Sequence, residues 1–316
     1  MRDRGTAESV PLVGKIKDRV INHYLVRNTI GGLQIMLSEN SVRFWFSILV
    51  LIAALGIFGP IVAPYDYDER HTGDDGTLKI SEPPSLEHPL GTNDTGQDVF
   101  SILLYGARPT LITGALGFIM ISLIGGTVGV TSGYVGGTVD NLLMRFTDLA
   151  YGIPLIPFAL VALAFFGIGF YSSILVITLI IWRGSARVIR SQVLQVKERP
   201  YVLAAKATGA STPRIILKHI LPNVGTMVML FGAIGVGATI LIQASLAYIG
   251  VANTEIPSWG MMIQNAQSAG MVSTAWWWSI PPGMLISVTV LATFMFARGY
   301  ERVARQTDSG AAVVGV

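Results

Sequence analysis

The chain has 316 residues, of which 51% are hydrophobic and only 13% are charged, against about 25% charged in soluble domains. It has no cysteine, which excludes disulfides, thiolate catalysis and cysteine-based metal sites. The net charge of +3 is small, so where the charges fall says more than their sum.

Residues 1–43 are polar and basic and contain no apolar run of the kind a cleavable signal peptide needs. Charge then vanishes in long blocks: 44–65, 109–139, 149–182, 219–254 and 256–297. Roughly 20 apolar residues cover about 30 Å of hydrocarbon as a helix, so these blocks mark an all-α membrane protein. Six spans are expected, at 44–63, 110–133, 150–166, 172–190, 223–248 and 279–298. The 34 uncharged residues from Leu149 to Trp182 are too many for one helix and tight for two. The fourth span is therefore expected to run on through Arg183 and Arg187, with the glycines of Phe166-Gly-Ile-Gly-Phe170 breaking the chain before it.

Between spans 1 and 2, residues 64–107 form a lobe with nine acidic residues between Tyr65 and Ala107, irregular and rich in Pro, Gly and Asp up to Pro89. An amphipathic helix is expected near Asp98–Ala107. Residues 250–278 form a second segment on the same side, with Glu255, Pro257 and the cluster Trp276-Trp-Trp278. Those rings either anchor the end of span 6 at the membrane–water interface or pack within the loop. Lys and Arg settle the orientation: nineteen lie on one side if the N-terminus is cytoplasmic, and only Arg70, Lys79 and Arg108 on the other. Both termini, 1–43 and 299–316, are then expected in the cytoplasm, flanking a five-helix core at 108–298.

The segment 199–222, between spans 4 and 5, carries the sharpest pattern. Arg199-Pro200 opens a helix at the position where proline's missing N–H costs nothing. Tyr201–Ala207 are good helix formers, and Gly209 suits the residue just past the helix end. Ser211-Thr212-Pro213 starts a second short helix over Arg214–His219, and Pro222 marks the turn into span 5. Ala204, Ala205 and Gly209 leave a face on which another protein can press close to the backbone.

This pattern (Leu203-Ala204-Ala205, then Gly209, then Leu221-Pro222) resembles the cytoplasmic coupling segment of ATP-binding-cassette (ABC) importer permeases. The resemblance spans about residues 40–305. His88-Pro-Leu-Gly-Thr92 with Asp98, Ser101 and Tyr105-Gly-Ala-Arg108 is similar to the stretch before span 2 in the C-type permease of dipeptide and oligopeptide importers. Gly133-Tyr-Val-Gly-Gly137 with Asp140, Arg145 and Asp148 resembles its next inner loop, and Pro257-Ser-Trp-Gly260 its outer loop before the last span. Leu203 departs from the Glu usual in that family, and Gln97 and Ile102 stand where Arg is usual.

The resemblance implies a peptide importer built from this chain, a B-type permease, two cytoplasmic ATPases that use ATP and Mg, and an external solute-binding protein. It implies ATPase coupling through Tyr201, Leu203, Ala204, Ala205, Gly209, Ala210 and Pro222. The departure at Leu203, which removes a carboxylate, predicts an apolar seat for that residue in the partner. A nickel-chelate or glutathione importer is an alternative of the same class. An ion-driven secondary transporter is an alternative from another class, but no Asp or Glu lies within the six spans.

Other residues carry two readings. Arg183, Arg187 and Arg190 share a helix face and either meet the coupling loop, the sister subunit or the ATPase, or snorkel to inner headgroups. Arg145 and Asp148 are spaced to pair on a helix. Gln243, inside span 5, lines the pathway or bonds between helices. The glycines of spans 2 and 5 permit close packing. No catalytic or metal constellation is read: His23, His71, His88 and His219 are scattered in sequence, and no phosphate-cradling G-x-x-x-x-G-K-[ST] run occurs. No cofactor and no nucleic acid is expected to bind this chain.

Overall fold

The structure is a computed structural model, and it describes residues 39–251 and 256–313, with side chains to Arg302 in the last helix. His23, Glu255, the side chain of Arg305 and nearly all of the basic N-terminal segment lie outside what it describes. Among the described residues the elements are helices α1 (Asn40–Val62), α2 (Val99–Val135), α3 (Gly137–Gly152), α4 (Leu155–Phe166), α5 (Phe170–Val196), α6 (Pro200–Ala207), α7 (Thr212–Tyr248), α8 (Trp259–Ser268) and α9 (Trp276–Val313). Five of them, α1, α2, α5, α7 and α9, are long and apolar enough to cross a membrane.

The span expected at 150–166 is not a single helix. It falls on a pair, α3 and α4, bent by 93° at their junction, the shape of a broken span or a re-entrant loop. Pro154 accounts for the break: it pushes the preceding Ile153 out of the helical region, to φ −87° and ψ 117°. The expected inner loop around Asp140–Asp148 is itself helix α3. It is entered through Gly136, whose φ of 70° suits a residue without Cβ.

The expected amphipathic helix at Asp98–Ala107 is instead the first part of α2. The helix runs on through Gly106 and carries Pro109 inside it. Two threonines donate to nearby carbonyls there, Thr110 Oγ1 to Gly106 O (2.8 Å) and Thr113 Oγ1 to Pro109 O (3.0 Å). This part faces the protein interior: Val99, Ile102, Leu103, Leu104 and Ala107 are buried. Ile102 is thus a core residue where a cation would have been costly.

Helix α2 is the spine of the bundle and packs on α5 along a row of glycines. A Cβ at Gly129 would lie 2.6 Å from Ala186 O, and one at Gly133 would lie 2.9 Å from Arg190 O. The two helices therefore touch nearly backbone to backbone, a contact that small residues make possible where lipid supplies no hydrophobic drive.

The lobe between α1 and α2 is irregular, as expected, with isolated bridges only. Asp98 caps α2 from a fully buried position: Ser101 N–H and Oγ both donate to Oδ2 at 2.7 Å, and His88 Nδ1 lies 3.0 Å from Oδ1. His71 and His88, far apart in sequence, pack ring against ring with centroids 4.7 Å apart. Gln97 accepts from Asn93 Nδ2 (2.7 Å) and Thr95 Oγ1 (2.9 Å), so the network at this position is neutral.

Tryptophans close this end. Trp259, at the start of α8, is fully buried and donates from Nε1 to Leu103 O (2.9 Å). Trp277 donates to Thr92 O (3.3 Å), and Trp277 and Trp278 are buried while Trp276 is half exposed. Two of the three clustered rings therefore pack inside the protein, and only Trp276 is placed as an interfacial anchor would be.

Candidate functional site

At the opposite end of the bundle, α5 leads through Lys197–Arg199 into α6. Pro200 occupies the first turn of α6, as its sequence demands. The helix ends in a Schellman motif: Ala210 N–H bonds Ala205 O (3.1 Å) and Gly209 N–H bonds Lys206 O (3.0 Å), with Gly209 at φ 79°. A Cβ on Gly209 would meet nothing within 4 Å. The glycine is required by backbone conformation rather than by crowding inside this chain.

One residue seats the helix. Val202 is 2% exposed and joins Val130, Ile189, Val193, Val196, Ile215, Ile220 and Val224, with Ala210 packed against the same cluster. The ends of α2, α5 and α7 nearest α6 all contribute to it. The remaining residues of α6 face outward. Tyr201 is 40% and Leu203 47% exposed, Ala204 and Gly209 are exposed, and Ala205 is partly covered. Tyr201 and His219 bring their rings to 6.2 Å. The surface is apolar at Leu203 and Tyr201, small at Ala204 and Gly209, and flanked in sequence by Arg199, Lys206, Arg214 and Lys218.

The second short helix expected at Arg214–His219 does not stand alone. Thr212 begins a helix that continues to Tyr248, with a wider π-type turn at Ile216–Ile220. Leu221 N–H bonds Ile216 O, five residues back. The wide turn carries the chain past Pro222, whose missing N–H would interrupt a regular ladder. Asn223 Nδ2 supplies a donor to His219 O at 2.7 Å. Pro222 is thus exposed within α7 and is not a turn.

Gln243 lies apart from this surface, about 30 Å farther along α7 at 1.5 Å per residue. It is 5% exposed, enclosed by the chain's own helices.

The three arginines of α5 do not reach α6. They run antiparallel along α3: Arg190 grips Asp140 with Nε to Oδ1 and Nη2 to Oδ2, both 2.6 Å; Arg187 pairs with Asp148; Arg183 donates to Ala150 O. Asp148 therefore pairs with Arg187 on another helix and not with Arg145. Ser132 Oγ also donates to Asp140, and Lys197 Nζ donates to Gly133 O (3.2 Å). The sequence signal was present, since Asp140 and Asp148 are eight apart on one helix and the arginines occupy one face of another, but nothing local matched the two faces.

Residues 125–306 match the family described as "Binding-protein-dependent transport system inner membrane component". The chain is 32% identical over 255 residues to the dipeptide transport system permease protein DppC of Bacillus subtilis, covering 80% of this chain and 78% of that protein. It is 33% identical over 223 residues to the oligopeptide transport system permease protein OppC of the same organism, covering 70% and 72%. The glutathione transport system permease protein GsiD of Pectobacterium atrosepticum is 29% identical over 252 residues, covering 79% and 82%. Among solved structures, the inward-facing MetNI methionine ABC transporter matches with a TM-score of 0.53 at 18% identity, over 64% of this chain and 96% of that one. That likeness establishes the helical fold.

Proposed function

The chain belongs to the family of binding-protein-dependent transport system inner membrane components, and on that premise we propose that it is one permease half of an ATP-driven peptide importer. Its α6 is the part a cytoplasmic ATPase presses on. The observation that carries this reading is the exposed Tyr201–Ala204 face of a helix pinned by the single buried Val202. Exposed apolar residues beside alanines and a glycine form a surface that a rigid partner completes.

In this reading the end bearing α6 is cytoplasmic, together with residues 1–43 and 299–316. The acidic lobe at 64–107 and helix α8 face outward, toward a solute-binding protein. A second, B-type permease supplies the other half of the pore. Two ATPases bind ATP and Mg, and their closure on nucleotide moves α6 and switches the pore. Tyr201, Leu203, Ala204, Ala205, Gly209 and Ala210 form or shape the docking surface, and Pro222 shapes the exit into α7. The burial of Gln243 favours a packing role over pathway lining.

Dipeptides and oligopeptides are the proposed cargo, because relatives covering most of the chain carry those names. Glutathione, itself a short peptide, is the second reading, on the relative named for it. An ion-driven secondary transporter does not fit the family.

Purification of the tagged chain from its native membrane tests the proposal. Two nucleotide-binding subunits and a second permease should co-purify, and ATP should drive uptake of peptide delivered by the binding protein. Ala205→Asp should abolish uptake while hydrolysis continues. Cargo movement by the chain alone, without nucleotide, would overturn the reading.

A further inference from the structure

Helix α3 has sixteen residues, and Thr147 is the only one of them that is buried. Apolar packing therefore does little to fix its position. Charge takes that role, through the antiparallel strap from α5. Arg190 holds both oxygens of Asp140, a two-pronged contact that sets orientation as well as distance. Arg187 holds Asp148, and Arg183 holds the Ala150 carbonyl near the helix end. The Tyr151 ring lies 4.8 Å and 4.3 Å from the guanidinium carbons of Arg183 and Arg187. Asp140, 14% exposed, also accepts from Ser132 of α2, so three helices meet at one carboxylate.

The two ends of this strap have different neighbours. Helix α5 continues directly into α6, whose seat includes Ile189, Val193 and Val196 of α5 itself. Helix α3 ends at the Ile153-Pro154 break, beyond which α4 departs at 93°. A displacement of α6 that shifts α5 must either carry α3 with it or break the fork at Asp140.

We propose that the Asp140–Arg190 pair, steadied by Ser132, is the link through which movement of α6 turns α3 about the Ile153-Pro154 break. Asp140 and Arg190 are then positioning residues for transport. The inference rests on the coupling reading of α6.

The test uses the complete transporter in proteoliposomes and reads cargo moved per ATP hydrolysed. Asp140→Asn and Arg190→Gln should each lower that ratio about fivefold, within the span of coupling energies that such networks carry. The double variant Asp140→Arg/Arg190→Asp should recover most of the loss. Unchanged ratios in the single variants, or a reversed pair no better than the worse single one, would overturn the link. A second measurement needs no change at the pair, because the chain has no cysteine of its own. Nitroxides at Leu142→Cys and Val188→Cys, both exposed, report the α3–α5 distance, and a pair at Leu142→Cys and Leu51→Cys reports α3 against α1. Between the nucleotide-free and vanadate-trapped states the first distance should hold and the second should shift; any other result overturns the proposal. A transporter whose unaltered form shows no ATP-driven uptake fails the coupling reading. One that stays coupled in the single variants fails only the link.

Discussion

At the acidic end of the bundle, Trp259, Trp277, His88 and Asp98 are enclosed, and both indole N–H groups and the Asp98 carboxylate have partners within this chain. At the basic end, Tyr201 and Leu203 are exposed, and one valine holds the helix that carries them. The first region completes its own packing; the second leaves apolar surface open. Exposed apolar residues are ordinary on faces that lipid covers, but α6 is a short helix in a segment dense with Lys and Arg, where lipid tails are a poor cover. The difference separates a part that completes its own packing from a part whose outer face this chain leaves uncovered.

The contrast breaks most visibly through Trp259→Ala. Removing this ring leaves a large cavity between α2 and α8 and strips a donor from Leu103 O. Truncations of this size cost about 3–5 kcal/mol. The expected result is loss of assembled transporter from the membrane, measured by detergent-resistant complex yield, with the surviving fraction normally coupled. Normal yield with uncoupled hydrolysis would mean the acidic end is not the rigid partner in the comparison.

Gly209 sharpens the other side. Its φ of 79° strains any residue with a Cβ, by roughly 1–2 kcal/mol, yet open space surrounds it in the chain. Gly209→Val should therefore permit insertion and assembly while lowering uptake per ATP, because the Schellman end of α6 is lost. Gly209→Asn should be milder, since Asn tolerates this conformation. Equal defects for Val and Asn would shift the cause from backbone strain to a clash with the partner.

Local signals made much of this legible. Charge-free runs located the long helices, Pro200 opened α6 and Gly209 closed it. Pairings between distant segments were not legible. Arg190 and Asp140 are 50 residues apart, and Arg187 and Asp148 are 39 apart; the arginines read as contacts to the coupling loop, a sister subunit or an ATPase, or as cations reaching headgroups, and Asp148 as a partner for Arg145. His71 and His88 read as scattered for the same reason. Prolines misled in both directions. Pro154 broke what looked like one span. Pro109 and Pro222 broke nothing, because threonine hydroxyls and a widened turn take up the local disturbance of the ladder. Whether a proline stops a helix depends on the donors around it, which composition does not reveal. On α6, the small residues Ala204, Ala205 and Gly209 marked a face left open for another protein, but the burial of Val202 emerged only once α2, α5 and α7 were assembled around it.

Leu203→Glu is the smallest expected effect and the finest test of how the open surface is used. Leu203 is 47% exposed and joins no buried cluster among the described residues, so the substitution should leave folding and yield within about 0.5 kcal/mol, the usual range for exposed sites. Its consequence depends on the partner. An apolar seat in the ATPase would make a carboxylate at 203 neutral to harmful, because a charge pressed into a dry contact without a partner loses its hydration. Uptake per ATP should hold or fall slightly. A clear gain would mean that the partner offers a cation or backbone N–H at this point, and that the exposed leucine is a tolerated departure rather than half of a matched pair.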